Sequence, residues 1–321
     1  MTQQFTTTGS SSLGGTIGSA GLVQKAYDRM IEFALRDEPL IRSVSDKRPT
    51  DQTIPGSVVV MQLHDDMALK TSALDETVDP DGVTIATPNT VTITLQEFGN
   101  STTNTRALKI FSYVGVDDDI VNLMAVNQAD SIDEIAMTTL RQGTNVIYAG
   151  STATSTATVT AAAQLSSANV RKAVAKLRAN KAKGRKGAMY WAGIHPEVAH
   201  DLMAETGSQG WTVPNAYGSS QDRIWASEIG SYAGAFFVES PRMYNAQDGA
   251  GTDPNKARVY RTIIAGKQAL AEAVGEEPHT VLGPVTDRLK RFQPIGWYGV
   301  LGFARYREKA LYRIESGSSI A

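Results

Sequence analysis

The 321-residue sequence contains no cysteine, which excludes disulfides, thiolate zinc sites, iron–sulfur clusters and a cysteine nucleophile. Histidine is scarce, with four residues. No apolar run approaches the roughly 18 residues of a membrane span, and the N-terminal stretch MTQQFTTT lacks the basic and apolar regions of a secretory signal. These absences predict a chain that is soluble and intracellular when made, and that gains its stability from packing or assembly.

The chain also lacks an excess of charge of either sign. Lysine and arginine number 31 against 33 aspartates and glutamates, which gives a net charge of -2 and an isoelectric point near 6.1. The whole chain therefore has no general attraction to nucleic acid or to an anionic membrane, and any such binding must be local. Hydrophobic residues make up 41%, enough for a sizeable core in one large domain or two lobes.

Motifs of enzymes and of metal sites are missing as well. The sequence has no H-E-x-x-H, and neither G-x-S-x-G nor G-x-G-x-x-G occurs in a suitable context. His195 and His200 are five residues apart, so on a helix they would point roughly 140° apart and could not share a metal. We expect them to be capping or surface residues. The sequence thus predicts no catalytic residue, no cofactor and no metal.

The first half of the chain changes character twice. Residues 2–21 are rich in Thr, Ser, Gly and Gln, which predicts a flexible arm, and the apolar spacing over 22–34 predicts a helix after it. From 54 to 114 apolar residues alternate, which predicts a β-rich segment. We expect its strands to open at Val58, to cover 91–95 and to cover 108–116. The polar stretch 65–81 is too long for a tight turn and predicts an extended loop that stands off the body.

The second half mixes helices and strands. Three consecutive aspartates, Asp117 to Asp119, precede a proline-free run to Tyr148, which predicts a long helix with a break near Asp130 as an alternative. We expect the β-branched residues 151–163 to form a strand. Ser166 or Ser167 is expected to cap a helix, and Pro196 to begin another that runs through Met203. Strands are predicted at 188–194, 235–238, 258–265 and 295–303, so the fold class is α+β.

Two stretches carry strong local charge. The acidic stretch holds six carboxylates against Lys70 alone, a local charge of -5: Asp65, Asp66, Asp75, Glu76, Asp79 and Asp81. The basic block holds eight cations and no carboxylate, a local charge of +8: Arg171, Lys172, Lys176, Arg178, Lys181, Lys183, Arg185 and Lys186. Each could be a solvated face. Alternatively, the two stretches meet across a subunit boundary, or the basic block faces nucleic acid.

Four segments resemble a known family in order and spacing. They are AGIHPE (192–197), SEIG with GAFFVESP (227–230 and 234–241), VYRTIIAGKQA (259–269), and TDRL, GW and ALYRIE (286–289, 296–297 and 310–315). Together they resemble the tailed-bacteriophage major capsid proteins of the Hong Kong phage fold, in particular the subfamily typified by the coat of coliphage N-four. Arg288 departs from the proline that is usual in that family.

The resemblance implies an α+β capsid fold divided along the chain. The implied parts are an N-terminal arm (1–51), an extended β loop (52–112), a peripheral domain with a long spine helix (113–164), an axial domain (165–285) and C-terminal strands that return to the peripheral domain (286–321). The unsupported loop and arm agree with this layout, because such segments gain partners only in an assembly.

The resemblance also implies a structural, non-enzymatic function. The chain would self-assemble into hexamers and pentamers of an icosahedral phage head that encloses double-stranded DNA. It would be assembled in the host cytoplasm and become part of the virion, with no membrane involved. A separate scaffolding protein and a portal are implied as partners, and a decoration protein is compatible with the layout. The alternatives are an encapsulin-like bacterial compartment shell and a soluble enzyme with unrecognised residues.

Overall fold

The computed structural model describes residues 40–49, 58–64, 67, 69–74, 76–77, 79, 82, 85, 88–111, 116–205, 228–284, 287–289 and 291–320. The predicted arm and the helix over 22–34 lie outside this range. The elements in chain order are β1 (Asp46–Pro49), β2 (Val58–Leu63), β3 (Asn89–Thr94), β4 (Gln96–Thr105), α1 (Arg106–Phe111), α2 (Val116–Leu140), β5 (Val146–Tyr148), α3 (Ser167–Ala179), β6 (Tyr190–Ile194), α4 (Pro196–Ala204), β7 (Glu228–Tyr232), β8 (Ala235–Glu239), β9 (Asn245–Ala246), β10 (Val259–Ala265), β11 (Leu270–Leu282), β12 (Phe292–Arg305) and β13 (Leu311–Ser316).

These strands form three sheets. A four-stranded sheet has the order β1-β11-β12-β4, and a seven-stranded sheet has the order β5-β13-β10-β6-β8-β7 with β9 paired to β10. The hairpin β2–β3 is the third. Parallel pairs (β1 with β11, β5 with β13, β6 with β8) occur among antiparallel ones. The α+β class is confirmed.

Both faces of the seven-stranded sheet are buried. In β6, Tyr190, Ala192 and Ile194 point into a core shared with α3 and α4, whereas Trp191 points to the opposite side. This division follows from the two-residue period of a strand. The opposite side is covered by the last turns of α2, which contribute Ala136, Met137 and Leu140. A sheet covered on both faces needs nearly continuous apolar strands, and all five residues of β6 are buried.

Helix α2 connects the two larger sheets. It runs unbroken through 25 residues, so the alternative break near Asp130 does not occur, and Asp130 instead pairs with Arg242 at 2.8 Å. Midway along the helix, Asn127 Oδ1 accepts a hydrogen bond from the Trp297 indole at 3.0 Å. The next residue, Gln128, donates to the Pro278 carbonyl at 2.9 Å. These bonds fix α2 to the four-stranded sheet, while its end packs on the seven-stranded one.

Three sequence predictions are wrong, each for a local physical reason. The expected strand at 108–116 is replaced by α1, because a short apolar run does not distinguish strand from helix. The long helix ends at Leu140 rather than Tyr148, since 146–148 pairs with β13. The expected strand at 151–163 is a series of turns. There the Thr158 hydroxyl accepts the backbone N–H groups of Thr154 and Ser155, both at 3.0 Å, and such bonds compete with strand pairing.

The helix caps agree with the sequence. Ser166 is the N-cap of α3 and accepts the Asn169 N–H. Pro196 occupies the first turn of α4, which runs to Ala204. Four predicted strands are present as β6, β8, β10 and β12.

Residues 40–49, here called the strap, lie across the end of α2 and form one edge of the four-stranded sheet. Leu40, Ile41 and Val44 are buried in the core that α2 shares with the seven-stranded sheet. The buried carboxylate of Asp133 on α2 accepts the Arg42 N–H at 2.8 Å. Burial raises the pKa of Asp133 above its ordinary value, and the backbone N–H groups of the strap offset this only in part.

We predict opposite effects for two substitutions of Asp133. Its folded-state pKa is raised, so its contribution to stability is full below the unfolded value of 3.8 and is lost as the pH rises through the folded value. Asp133→Asn keeps an acceptor without the buried charge, so the unfolding free energy at neutral pH should be equal or higher, with the gain over wild type growing above about pH 4. Asp133→Ala should lower it by about 1–3 kcal/mol.

Urea unfolding of the unassembled subunit at several pH values measures both variants. A neutral-pH loss for Asp133→Asn as large as that for Asp133→Ala would show that the charge itself is needed.

Candidate assembly surfaces

The histidines serve structural roles, as expected. His195 is the N-cap of α4, where its Nδ1 accepts the Glu197 N–H at 3.3 Å, and burial lowers the pKa of His195. Beside it, the Tyr260 hydroxyl donates to the Glu197 carboxylate, and burial together with that carboxylate raises the pKa of Tyr260 to about 12. His200 is an exposed residue on α4. The hydrogen bond between Tyr260 and Glu197 fixes α4 to β10.

The part of the chain that the structure describes holds no group of three or more carboxylates and histidines arranged for a metal. Within the same residues, no helix is both long and apolar enough to cross a membrane. The surfaces that remain to be explained are the hairpin with its loop and the basic block.

The hairpin β2–β3 has one buried and one exposed face. Val59 and Met61 pack with Ile93 on the β11 residues Ala271 and Ala273. On the other face, the β-branched side chains of Val58 and Val60 stand exposed opposite Thr94 and Thr92. In the connecting loop Leu69 is 91% exposed and Leu74 is 68% exposed. So much exposed apolar surface is typical of a protein interface.

The acidic stretch lies in this loop. Glu76 and Asp79 are exposed, while Asp65, Asp66, Asp75 and Asp81 lie outside the described residues. The extended loop that stands off the body therefore stays a prediction.

The basic block is divided by the fold. Lys172, Lys176 and Arg178 are exposed on α3, and Arg171 beside them is half-buried. Lys176 lies over the Tyr312 ring at 5.7 Å, and Lys186 lies over the Phe236 ring at 5.8 Å. Arg185 points inward, where it donates to the Val44 carbonyl and lies 3.5 Å from Asp46, and burial lowers its pKa. Arg185 therefore fixes the strap and is not available to a partner.

The remaining two cations of the block, Lys181 and Lys183, line a cavity of about 640 Å³. Three further cations from distant parts of the chain complete what is here called the basic groove: Lys47, Lys267 and Arg307. Sequence reasoning missed these three, because each is a single cation in its own segment. Only the meeting of the strap with the loops after α3, β10 and β12 brings them together.

The strap next to the groove is held by ion pairs of unequal burial. Arg42 lies 2.7 Å from Glu272, which is 0% exposed, and 3.0 Å from Glu277. Ser45 also donates to Glu272, at 2.5 Å. Lys47 reaches the same Glu277 at 3.4 Å, but both of those side chains are 60% exposed. The pair Arg42–Glu272 is therefore structural, whereas Lys47 remains accessible at the rim of the groove.

Comparison with known families gives these surfaces a context. A family model described as phage capsid protein matches residues 88–314, more than two thirds of the chain. The chain belongs to the phage capsid protein family. The match begins after the acidic stretch and includes the whole basic block.

The fold of this capsid protein is that of known phage capsids. The capsid of Ralstonia phage GP4 superimposes with a TM-score of 0.76 at 14% identity, covering 97% of this chain and 99% of that one. The capsid of cyanophage P-SCSP1u gives 0.67 at 14% identity, with 99% and 100% covered. The capsid of Helicobacter pylori bacteriophage KHP30 also gives 0.67 at 14% identity, with 91% and 95% covered. No curated protein is detectably similar in sequence.

The unequal ion pairs of the strap predict unequal costs of substitution. Arg42→Met should lower the unfolding free energy of the capsid subunit by about 2–3 kcal/mol, because Glu272 would remain buried without its cation. Lys47→Met is the matched control, since it removes a cation from the same Glu277 at an exposed site, and should cost less than about 1 kcal/mol. Urea titration measures both. Equal losses would contradict the structural role of the Arg42–Glu272 pair.

Proposed function

We propose that this phage capsid protein is the major capsid protein of an icosahedral head, in which it forms hexamers and pentamers around double-stranded DNA. The family match over residues 88–314 carries the proposal. The exposed apolar face of the hairpin and the exposed loop residues support it, because these surfaces need a neighbour to cover them. The proposal makes the chain a component of the virion, and its role is structural rather than enzymatic.

The finer assignments are part of the same proposal. The arm (1–51), the extended loop (52–112), the peripheral domain (113–164), the axial domain (165–285) and the returning strands (286–321) would be the working parts of the subunit. A separate scaffolding protein and a portal would take part in assembly, with room for a decoration protein on the finished head. We also propose that the chain is related to the subfamily of the coliphage N-four coat, on the basis of the four sequence segments quoted above.

We predict that the purified chain forms closed shells or capsomers, alone or with a scaffolding partner. Size-exclusion light scattering across salt and crowding conditions, followed by electron microscopy, tests this. Small oligomers in every condition, scaffolding partner included, would contradict it. Shells that enclose proteins in place of DNA when made in the natural host would indicate a compartment shell instead.

We further propose that the acidic stretch of one subunit lies against a basic surface of its neighbour. A lattice of identical chains is built from contacts that pair unlike surfaces of one molecule. Glu76 and Asp79 have no cation within ion-pair distance in the described part of their own chain. The basic block, Arg171 to Lys186, supplies the opposite charge, with packaged DNA as its alternative partner.

Reversal of the acidic stretch should prevent assembly. A single exposed ion pair contributes only about 0–1 kcal/mol, so the effect must come from several pairs repeated at every interface. We expect Asp75→Lys, Glu76→Lys and Asp79→Lys together to stop shell formation. The neutral set Asp75→Asn, Glu76→Gln and Asp79→Asn should weaken it, and wild-type assembly should become weaker as salt is raised.

Sedimentation measures the shell yield of each variant and so tests this prediction, and circular dichroism checks that each variant is folded. Normal assembly of the reversed chain would rule out the pairing and leave the shell function untouched.

A further inference from the structure

Three cations of the basic groove are not paired with a carboxylate in the described part of the chain. Lys183, Lys267 and Arg307 are exposed, and within the described residues no carboxylate lies at ion-pair distance from them. The single carboxylate of the groove is Asp46, and it is already engaged. One of its oxygens accepts the Gln268 N–H at 2.5 Å, and the other lies 3.5 Å from Arg185. The charges of Lys183, Lys267 and Arg307 are therefore available at the cavity.

The walls of the groove are tied to one another by backbone hydrogen bonds. The Lys267 N–H donates to the Lys183 carbonyl at 2.9 Å, and the Arg307 N–H donates to the Gln268 carbonyl at 3.0 Å. Lys181 and Gln268 have positive φ angles of 56° and 62°, a conformation that residues other than glycine rarely adopt. Such backbone is retained where the surrounding structure enforces it, and it is typical of binding sites. The backbone that carries these cations is thus held in a fixed arrangement around the cavity.

The acidic loop has the opposite charge and enough chain to reach a neighbour. Twenty-five residues, 64–88, join the two strands of the hairpin. Half of that chain, extended at about 3.3 Å per residue, spans about 40 Å. Each subunit carries one such loop and one groove, so in a closed shell every loop can bind in the groove of one neighbour.

We propose that the basic groove is the docking site for the acidic loop of a neighbouring copy. The inference rests on the proposed shell function, and it names the acceptor surface within it: Lys47, Lys181, Lys183, Lys267 and Arg307, rather than the exposed face of α3. A peptide segment can enter a concave cavity with several carboxylates. A DNA duplex is a wide convex cylinder and would meet the same cavity at a single phosphate, so the shape of the groove favours the loop.

A double charge swap tests the acceptor. The starting chain carries Asp75→Lys, Glu76→Lys and Asp79→Lys, and the test adds Lys183→Glu, Lys267→Glu and Arg307→Glu. We expect shell yield to return to within about threefold of wild type, because the repeated exposed ion pairs form again with opposite polarity. The matched control adds Arg171→Glu, Lys172→Glu and Lys176→Glu on α3 instead. That control changes the net charge equally and should leave the yield at least about tenfold below wild type.

Mixing two chains shows that the contact is between copies. The loop-reversed chain has a basic loop and a basic groove, and the groove-reversed chain has an acidic loop and an acidic groove. Neither should assemble alone. An equal mixture should form joint capsomers, because each loop then finds a groove of opposite charge on the other chain, and this assembly also demonstrates that both variants are folded.

Each other outcome overturns the inference. Rescue by the α3 set would move the acceptor to that helix. Failure of the mixture to assemble, with both chains folded by circular dichroism, would exclude the groove as a docking site. Normal shells from the groove-reversed chain that no longer retain DNA would make the groove a phosphate site instead. In all these cases wild-type shells would still form, so the proposed function is judged separately.

Discussion

The two-sided burial of the seven-stranded sheet is the constraint on which the rest of the subunit depends. One face is covered by α3 and α4, and the other is covered by the end of α2 and the strap, through Met137, Leu140 and Val44. The last turns of α2 pack on the seven-stranded sheet. The rest of the helix extends over the four-stranded sheet, where Asn127 and Gln128 form hydrogen bonds midway along it. Covering one sheet thus fixes the orientation of the other.

The same arrangement explains what the subunit leaves uncovered. The four-stranded sheet uses one face for α2 and part of the other for the hairpin, whose Val59 and Met61 pack on β11. Nothing in the described part of the chain is left to cover the outer face of the hairpin or the loop beyond it. For a protein that acted alone, Leu69 and Leu74 would be an aggregation hazard. In the proposed shell, a neighbouring subunit would cover these side chains.

Sequence reasoning succeeded where a local pattern determines a local structure. The short apolar run at 188–194, the serine before α3 and the proline of α4 each act through their own neighbours in the chain, and the predicted elements are present as β6, α3 and α4. Sequence reasoning failed where the secondary structure depends on contacts that the local pattern does not show. Residues 146–148 form a strand paired with β13 instead of the end of a helix. In the threonine-rich segment, the Thr158 hydroxyl bonds to backbone groups of the same segment instead of allowing a strand. In the basic block, the side chains of Lys172, Lys176 and Arg178 are exposed on α3, whereas Arg185 is internal. The groove could not be predicted, since Lys47, Lys267 and Arg307 share no spacing.

Assembly function of this kind is difficult to see in a sequence for a general reason. A catalytic motif must hold several groups close together, and evolution often uses short spacings for that purpose. A docking surface in a shell needs only enough charge and shape to meet one neighbour, and single residues from separate loops can supply it. The near-neutral total of -2 conceals this, because the acidic stretch of -5 and the basic block of +8 offset each other in part when charges are summed over the whole chain. If the proposed pairing holds, these charges are neutralised between molecules, so the same residues that repel like-charged surfaces would bind a subunit to its copies.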